Sequence, residues 1–164
     1  MLQTAAYARE AIACISMTRT SEEIAALAEV RQARQAVLSR PDSALEFWAI
    51  IHEAALHQRF AVRPTTMREQ LRRLLDVVEL PNVTIQIMPL DATPHPGVMG
   101  GFSLVAFPGA LPDIVLLENL SGATYLEGEE AIPFARGIER IRASALSVED
   151  SLARIAYLVE GTQT

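Results

Sequence analysis

Apolar and polar positions follow two periods along this chain, and the changes of period divide it into elements. Residues 3 to 17 are rich in alanine, with Tyr7, Ala11 and Cys14 along one side, and predict a helix. Thr20-Ser21-Glu22-Glu23 has the spacing of a capping box, with Thr20 as N-cap and Glu23 reaching back. A second helix is expected from there to about Arg40, where Pro41 stops it. Phe47 to Ala55 is a run of large apolar residues between polar segments and reads as a strand, a short helix being its rival. Residues 66 to 79 place Met67, Leu71, Leu74 and Val78 on one helical face, and Pro81-Asn82 ends that helix. Val83 to Met88 is β-branched and apolar, hence a strand. Residues 102 to 107 and 114 to 117 are two more, joined by the turn-like stretch from Pro108 to Asp113. Two helices close the pattern, one over roughly residues 132 to 145 with Pro133 in its first turn, the other after Ser147, whose spacing to Asp150 fits a capping box.

The order is two helices, then β-α-β-β-β, then two helices. Strand, helix, strand over residues 47 to 88 predicts a right-handed crossover between parallel strands, and the later connections suggest antiparallel neighbours. The expected class is α/β, bordering on α+β: a mixed four-stranded sheet with helices packed on it.

Length and composition narrow this further. At 164 residues the chain is expected to form a single domain over 1–164. Half the residues are apolar and 21% are charged, which excludes a disordered chain. The net charge is -6, so the chain shows no overall basic character for phosphates, and direct nucleic-acid binding is not expected. Cys14 is the single cysteine, which excludes an internal disulfide and suits a reducing cytoplasm. Arg9 and Glu10 interrupt the first seventeen residues, so they lack the apolar stretch of a signal peptide. No apolar run approaches the roughly 18 residues of a membrane span.

Several polar residues are aimed at the expected core. Counting about 100° per residue from Ile24, Leu27, Ala28 and Leu38 fall within roughly 60° of it and define the buried face of the second helix. Arg31 and Gln35 then sit in the middle of that stripe, and Arg34 at its edge. Charged groups are seldom buried without a partner. Glu53 shares a strand face with Phe47, Ala49 and Ile51, and Glu118 shares one with Ile114 and Leu116. Both acids come near strand ends, where ligand crevices form in open sheets. One reading is a structural clamp in which Arg31 and Arg34 pair with Glu53 or Glu118. The other is a small-molecule pocket whose arginine forks bind a carboxylate or phosphate.

The segment from Asp91 to Gly101 is far longer than a hairpin needs, and carries His95 between two prolines. A ligand-contacting or acid-base histidine and a plain surface loop are both open there. His52, His57, His95 and Cys14 have no metal-ligand spacing, so neither a metal nor a cofactor is expected. There is no Walker loop, nucleophile elbow or dinucleotide fingerprint. Residues 22 to 28 have the look of the opening helix of a helix-turn-helix, but Arg31 to Leu38 continue the helix with no glycine turn.

Four stretches together resemble one family: Leu2-Gln3-Thr4-Ala5-Ala6-Tyr7-Ala8-Arg9, Val30-Arg31-Gln32-Ala33-Arg34-Gln35, Trp48 to Leu56, and Met67-Arg68-Glu69-Gln70-Leu71 on through Leu80-Pro81-Asn82-Val83 to Pro89. His95-Pro96-Gly97, Phe102-Ser103-Leu104, Glu118 and Tyr125-Leu126-Glu127 fit the same pattern. The chain is similar over nearly its whole length to the domain of unknown function that follows the helix-turn-helix in actinomycete XRE-type, antitoxin-like regulators. The resemblance implies transcription control, often beside a small partner protein encoded nearby. Such regulators usually carry a DNA-binding domain and a short lead-in helix ahead of the Leu2-Gln3-Thr4 segment, and neither is part of this sequence.

The leading expectation is a regulatory domain that binds a small polar metabolite or a partner protein. Its ligand-binding candidates are Arg31, Arg34, Gln35, Glu53, His95 and Glu118, of which Glu53 and His95 are expected to line one cavity. The alternative is an antitoxin-like interaction module that dimerises and sequesters a partner. An enzyme built on Glu53, Glu118 and His95 is the third class, and no catalytic residue is assigned. A concave polar pocket would favour the first, a large exposed apolar patch the second.

Overall fold

The computed structural model describes residues 1–16, 18–60 and 63–161. The expected end of the first helix at Met17 lies outside them. The chain forms two compact units, Met1–Leu90 with Leu146 onward, and Asp91–Ala145.

The first unit opens with α1 (Ala5–Ile15) and α2 (Ser21–Ala33). Thr4 caps α1 by accepting from the Tyr7 amide. The capping box at Thr20 is present in full: its hydroxyl accepts from Glu23 N–H, and the Glu23 carboxylate accepts from Thr20 N–H at 2.7 Å. These exchanges with Thr20 hold the Glu23 carboxyl below its ordinary value. Ala8, Ile12 and Ala28 are buried between the two helices, with Ile24 and Leu27 packed beside them.

The α-helix stops at Ala33, short of the expected Arg40, and Arg34–Leu38 continues as a tighter 3-10 turn. The chain then folds back, with Leu45 N–H donating to Val37 O, into β1 (Phe47–His52). A second 3-10 turn, Glu53–His57, follows, then α3 (Thr66–Val77) and β2 (Val83–Met88). The strands β1 and β2 are parallel, from Phe47 opposite Val83 to His52 opposite Met88, as the strand-helix-strand order predicts. The last helix, α5 (Val148–Gly161), packs on α3 and β2. Ser147 caps it by accepting from Asp150 N–H at 3.0 Å, while its own hydroxyl donates to the Asp150 carboxylate.

The core of this unit gathers Leu71, Leu74 and Val77 of α3, Ile85 and Ile87 of β2 and Ile155 of α5. Five of the six β2 residues are buried, as expected for a strand covered on both faces. Gln86 is among them. Its amide accepts from Trp48 Nε1 at 2.9 Å and donates to Leu146 O at 2.8 Å, which satisfies it.

The second unit contains a 3-10 turn at Pro96–Met99, then β3 (Phe102–Val105), β4 (Ile114–Asn119), β5 (Gly122–Glu127) and α4 (Ile132–Ser144), which has proline in its first turn. These strands form an antiparallel sheet in the order β3-β4-β5. The α/β class stands, but the strands divide between two sheets, one parallel and one antiparallel, where the order of elements suggested a single four-stranded one. The strand β5 is an addition to the expected elements. It forms because Asn119 Oδ1 accepts from both the amide and the hydroxyl of Ser121, and Gly122 takes a φ of 141° that a side chain would resist. Phe102 stacks edge-on with Phe134, their centroids 5.1 Å apart, which puts α4 on the Phe102 face of the sheet.

Candidate functional site

Polar side chains converge at two places in the first unit. The first is the segment Met1–Thr4, which leads into α1. Gln70, from the buried face of α3, donates to Leu2 O at 2.9 Å and accepts from Thr4 N–H at 2.7 Å. Gln32 and Gln35 both donate to Gln3 O, at 2.9 and 2.6 Å. Arg31 donates to Gln3 Oε1 at 2.9 Å, and Arg73 to Gln35 Oε1 at 3.1 Å. The side chain of Leu2 enters the core. Most of these bonds read backbone, so they fasten the segment largely without regard to its side chains. Arg34 is exposed. Burial, then Arg31, then Arg34 push the Met1 amino group below its ordinary value. Burial raises the Tyr7 phenol, with Arg31 acting in the opposite sense.

The second place is Glu53, which is only 3% exposed. Its carboxylate accepts from Arg154 at 2.7 Å and from Leu90 N–H at 3.3 Å, and the His57 ring lies 3.5 Å away. The expected partnership of Arg31 with Glu53 is therefore replaced: Arg31 meets Gln3, and Glu53 meets Arg154. The reason is local. The strand β1 ends at His52, not Ala55, and Glu53 opens a 3-10 turn. It thus leaves the face it was expected to share with Ala49 and Ile51, and is met by Arg154 of α5.

The remaining two candidates belong to the second unit. His95 is half-buried and its Nδ1 accepts from Gly97 N–H at 3.2 Å, capping the turn at Pro96. A Cβ at Gly97 would come within 2.9 Å of that nitrogen, so the glycine makes room for the ring. Glu118 is exposed, opposite Ala123 in the sheet. Arg31 and Gln35 come together at Gln3 and not with Glu53 or Glu118, and sequence reasoning did not single out Gln3, Gln32, Gln70, Arg73 or Arg154. For Gln70 the signal was present, since the residue sits between Met67, Leu71 and Leu74 on the apolar face of α3.

Two hollows open on the surface, and both are shallow. One, about 420 Å³, lies in the second unit between Pro112, Asp113, Gly128, Glu129 and the start of α4. The other, about 270 Å³, lies between α1 and α2 at Arg9, Glu10, Ser21 and Ile24. Neither is lined by any of the six candidate residues. Among the described residues, no group of three or more His, Cys, Asp or Glu is placed to hold a metal ion, and no helix is long and apolar enough to cross a membrane.

The antiparallel sheet has a second face. By the register, Val105, Ile114, Leu116 and Tyr125 share the side opposite Phe102, together with Glu118 and Glu127. Val105 is 40% and Tyr125 66% exposed. Ile114 and Leu116 are half-buried between them, so the exposed apolar part of this face is Val105 and Tyr125, bordered by carboxylates.

No curated protein and no solved structure matches this chain. A family match does cover it, over residues 1–157, which include both polar clusters and the open sheet. The chain belongs to the DUF5753 family, a domain of unknown function.

Proposed function

We propose that this chain is the regulatory domain of an XRE-type helix-turn-helix transcription regulator, and that it acts in the cytoplasm by binding a partner protein, without catalysis. The observation that carries this reading is the open sheet face of the second unit, where Val105, Ile114, Leu116 and Tyr125 lie beside Glu118 and Glu127. An exposed apolar surface with a polar border is what a protein partner covers. A small polar metabolite needs an enveloping pocket with converging donors. Here Arg31 and Gln35 are engaged with Gln3, and Glu53 with Arg154, so their hydrogen bonds are directed within the unit. The antitoxin-like reading differs only in consequence: the same surface would sequester its partner instead of relaying its presence to DNA.

Transcript profiling tests the regulatory role. Deleting the coding region in its native host should change the transcripts of a small set of genes, and restoring it should reverse them. An unaltered profile overturns the reading. Native mass spectrometry of the purified chain should show no retained metabolite; a stoichiometric small molecule would restore the effector alternative.

A further inference from the structure

Resting on that partner-binding reading, the geometry points to where and how the partner docks: we propose that β5 accepts, along its free edge, a strand of a different and cationic protein. Among the described residues, β5 is paired with β4 on one side only. Proteins ordinarily guard such an edge with a proline, a lysine, a bulge or a very short strand. The other edge strand, β3, is four residues long. In contrast, β5 is six residues long, five of them exposed, and it contains no proline, lysine or arginine. Its register with β4 runs without a break from Ile114 opposite Glu127 to Asn119 opposite Gly122, so no bulge bends it away. Its outer row of N–H and C=O groups is a template for another strand.

Charge selects the occupant. From Asp91 to Ala135 the acids are Asp91, Asp113, Glu118, Glu127, Glu129 and Glu130, and there is no arginine or lysine. On the open face, Tyr125 stands at the centre of β5, Glu127 at one end, and Glu118 on β4 beside the other end at Ala123. A strand laid against β5 would thus present an apolar residue level with Tyr125 and a cation on the same face two positions to either side. A second copy of this chain is a poor occupant, because it would bring its own acidic border into the same sheet and repel this one.

The test uses the full chain and two blocked peptides, Thr-Arg-Thr-Val-Thr-Arg-Thr and the same sequence with glutamate for arginine. Amide hydrogen exchange is followed across the chain. The arginine peptide should slow exchange in β5 at least several-fold, with the effect fading as salt is raised; the glutamate peptide should not. Glu127→Arg, an exposed change, should weaken the response at least several-fold without altering the melting temperature. Equal protection by both peptides, protection by neither, or protection confined to residues outside β5 overturns the proposal. Protection of β5 that rises with protein concentration and needs no peptide assigns the edge to a second copy and overturns it too. Altered transcripts on deletion with an unresponsive β5 would reject the docking edge alone. A responsive β5 with unaltered transcripts would reject the regulatory reading alone.

Discussion

Gln70 and Leu2, 68 positions apart in sequence, are joined by a hydrogen bond of 2.9 Å from the glutamine amide to the leucine carbonyl. The same amide accepts from Thr4 N–H, so one side chain of α3 does for the first residues what a neighbouring strand would do. Gln70→Leu should cost roughly 2–3 kcal/mol, because Leu2 O and Thr4 N–H lose their partner together. Urea denaturation measures the loss. Exchange of the Thr4 amide should quicken before that of β2, and an unchanged Thr4 rate would show the segment to be held by Leu2 packing instead.

Arg154→Met should cost about 1–3 kcal/mol. Removing one partner of a fully enclosed pair costs more, but the Arg154 side chain is 44% exposed and water takes up part of its role. The double variant with Glu53→Gln should lose less than the sum of the single losses, since the neutral amide no longer needs the cation. Strict additivity in the denaturation free energies would mean that the two groups do not depend on each other.

Thr66→Val should stabilise the chain by about 1 kcal/mol. The Thr66 hydroxyl is buried and has no hydrogen-bond partner among the described residues, and valine has nearly its shape without the unsatisfied group. A lower melting temperature would count against this.

Thr20→Ala should cost about 1 kcal/mol through loss of the capping box at α2. The effect should show in local exchange of the Glu23 amide as well as in global stability.

Alkaline solution should weaken the fold through Tyr7. Its pKa is raised by burial, so its contribution is present in full below the ordinary tyrosine value near 10 and is lost as pH climbs through the folded value. Denaturation midpoints taken from about pH 9 to 12 should fall more steeply for the native chain than for Tyr7→Phe. Parallel curves would assign the loss to other groups.

The sequence is most legible where period and chemistry agree. The capping box at Thr20, the apolar face of α3 and the buried run of β2 can each be read from a few neighbouring residues. It is less legible where a long-range partner decides the outcome. The azimuth of Arg31 was readable, but its partner Gln3 was expected inside the first helix, which starts only at Ala5. Glu53 was readable as an acid at a strand end, but the turn from strand to 3-10 helix is stabilised by Arg154, 101 residues on. The strand β5 escaped because Gly122 to Glu127 alternates weakly, and it is the Asn119–Ser121 turn that folds it onto β4.

The first unit is written in two pieces, with residues 91 to 145 set between β2 and α5. Leu146 N–H donates to Ile87 O, so the returning chain re-enters beside the strand it had just left, three residues before the exit at Leu90. The order in which the chain leaves the ribosome follows from this. Ile85 and Ile87 emerge long before Ile155, the α5 residue that shares their core, and stay uncovered on that side while the antiparallel sheet and α4 are synthesised. The intervening unit can therefore finish folding first. A nascent chain stopped before Leu146 would present an unfinished parallel pair to chaperones, whereas a gene in which a few glycines replace residues 91 to 145 should still yield a closed first unit.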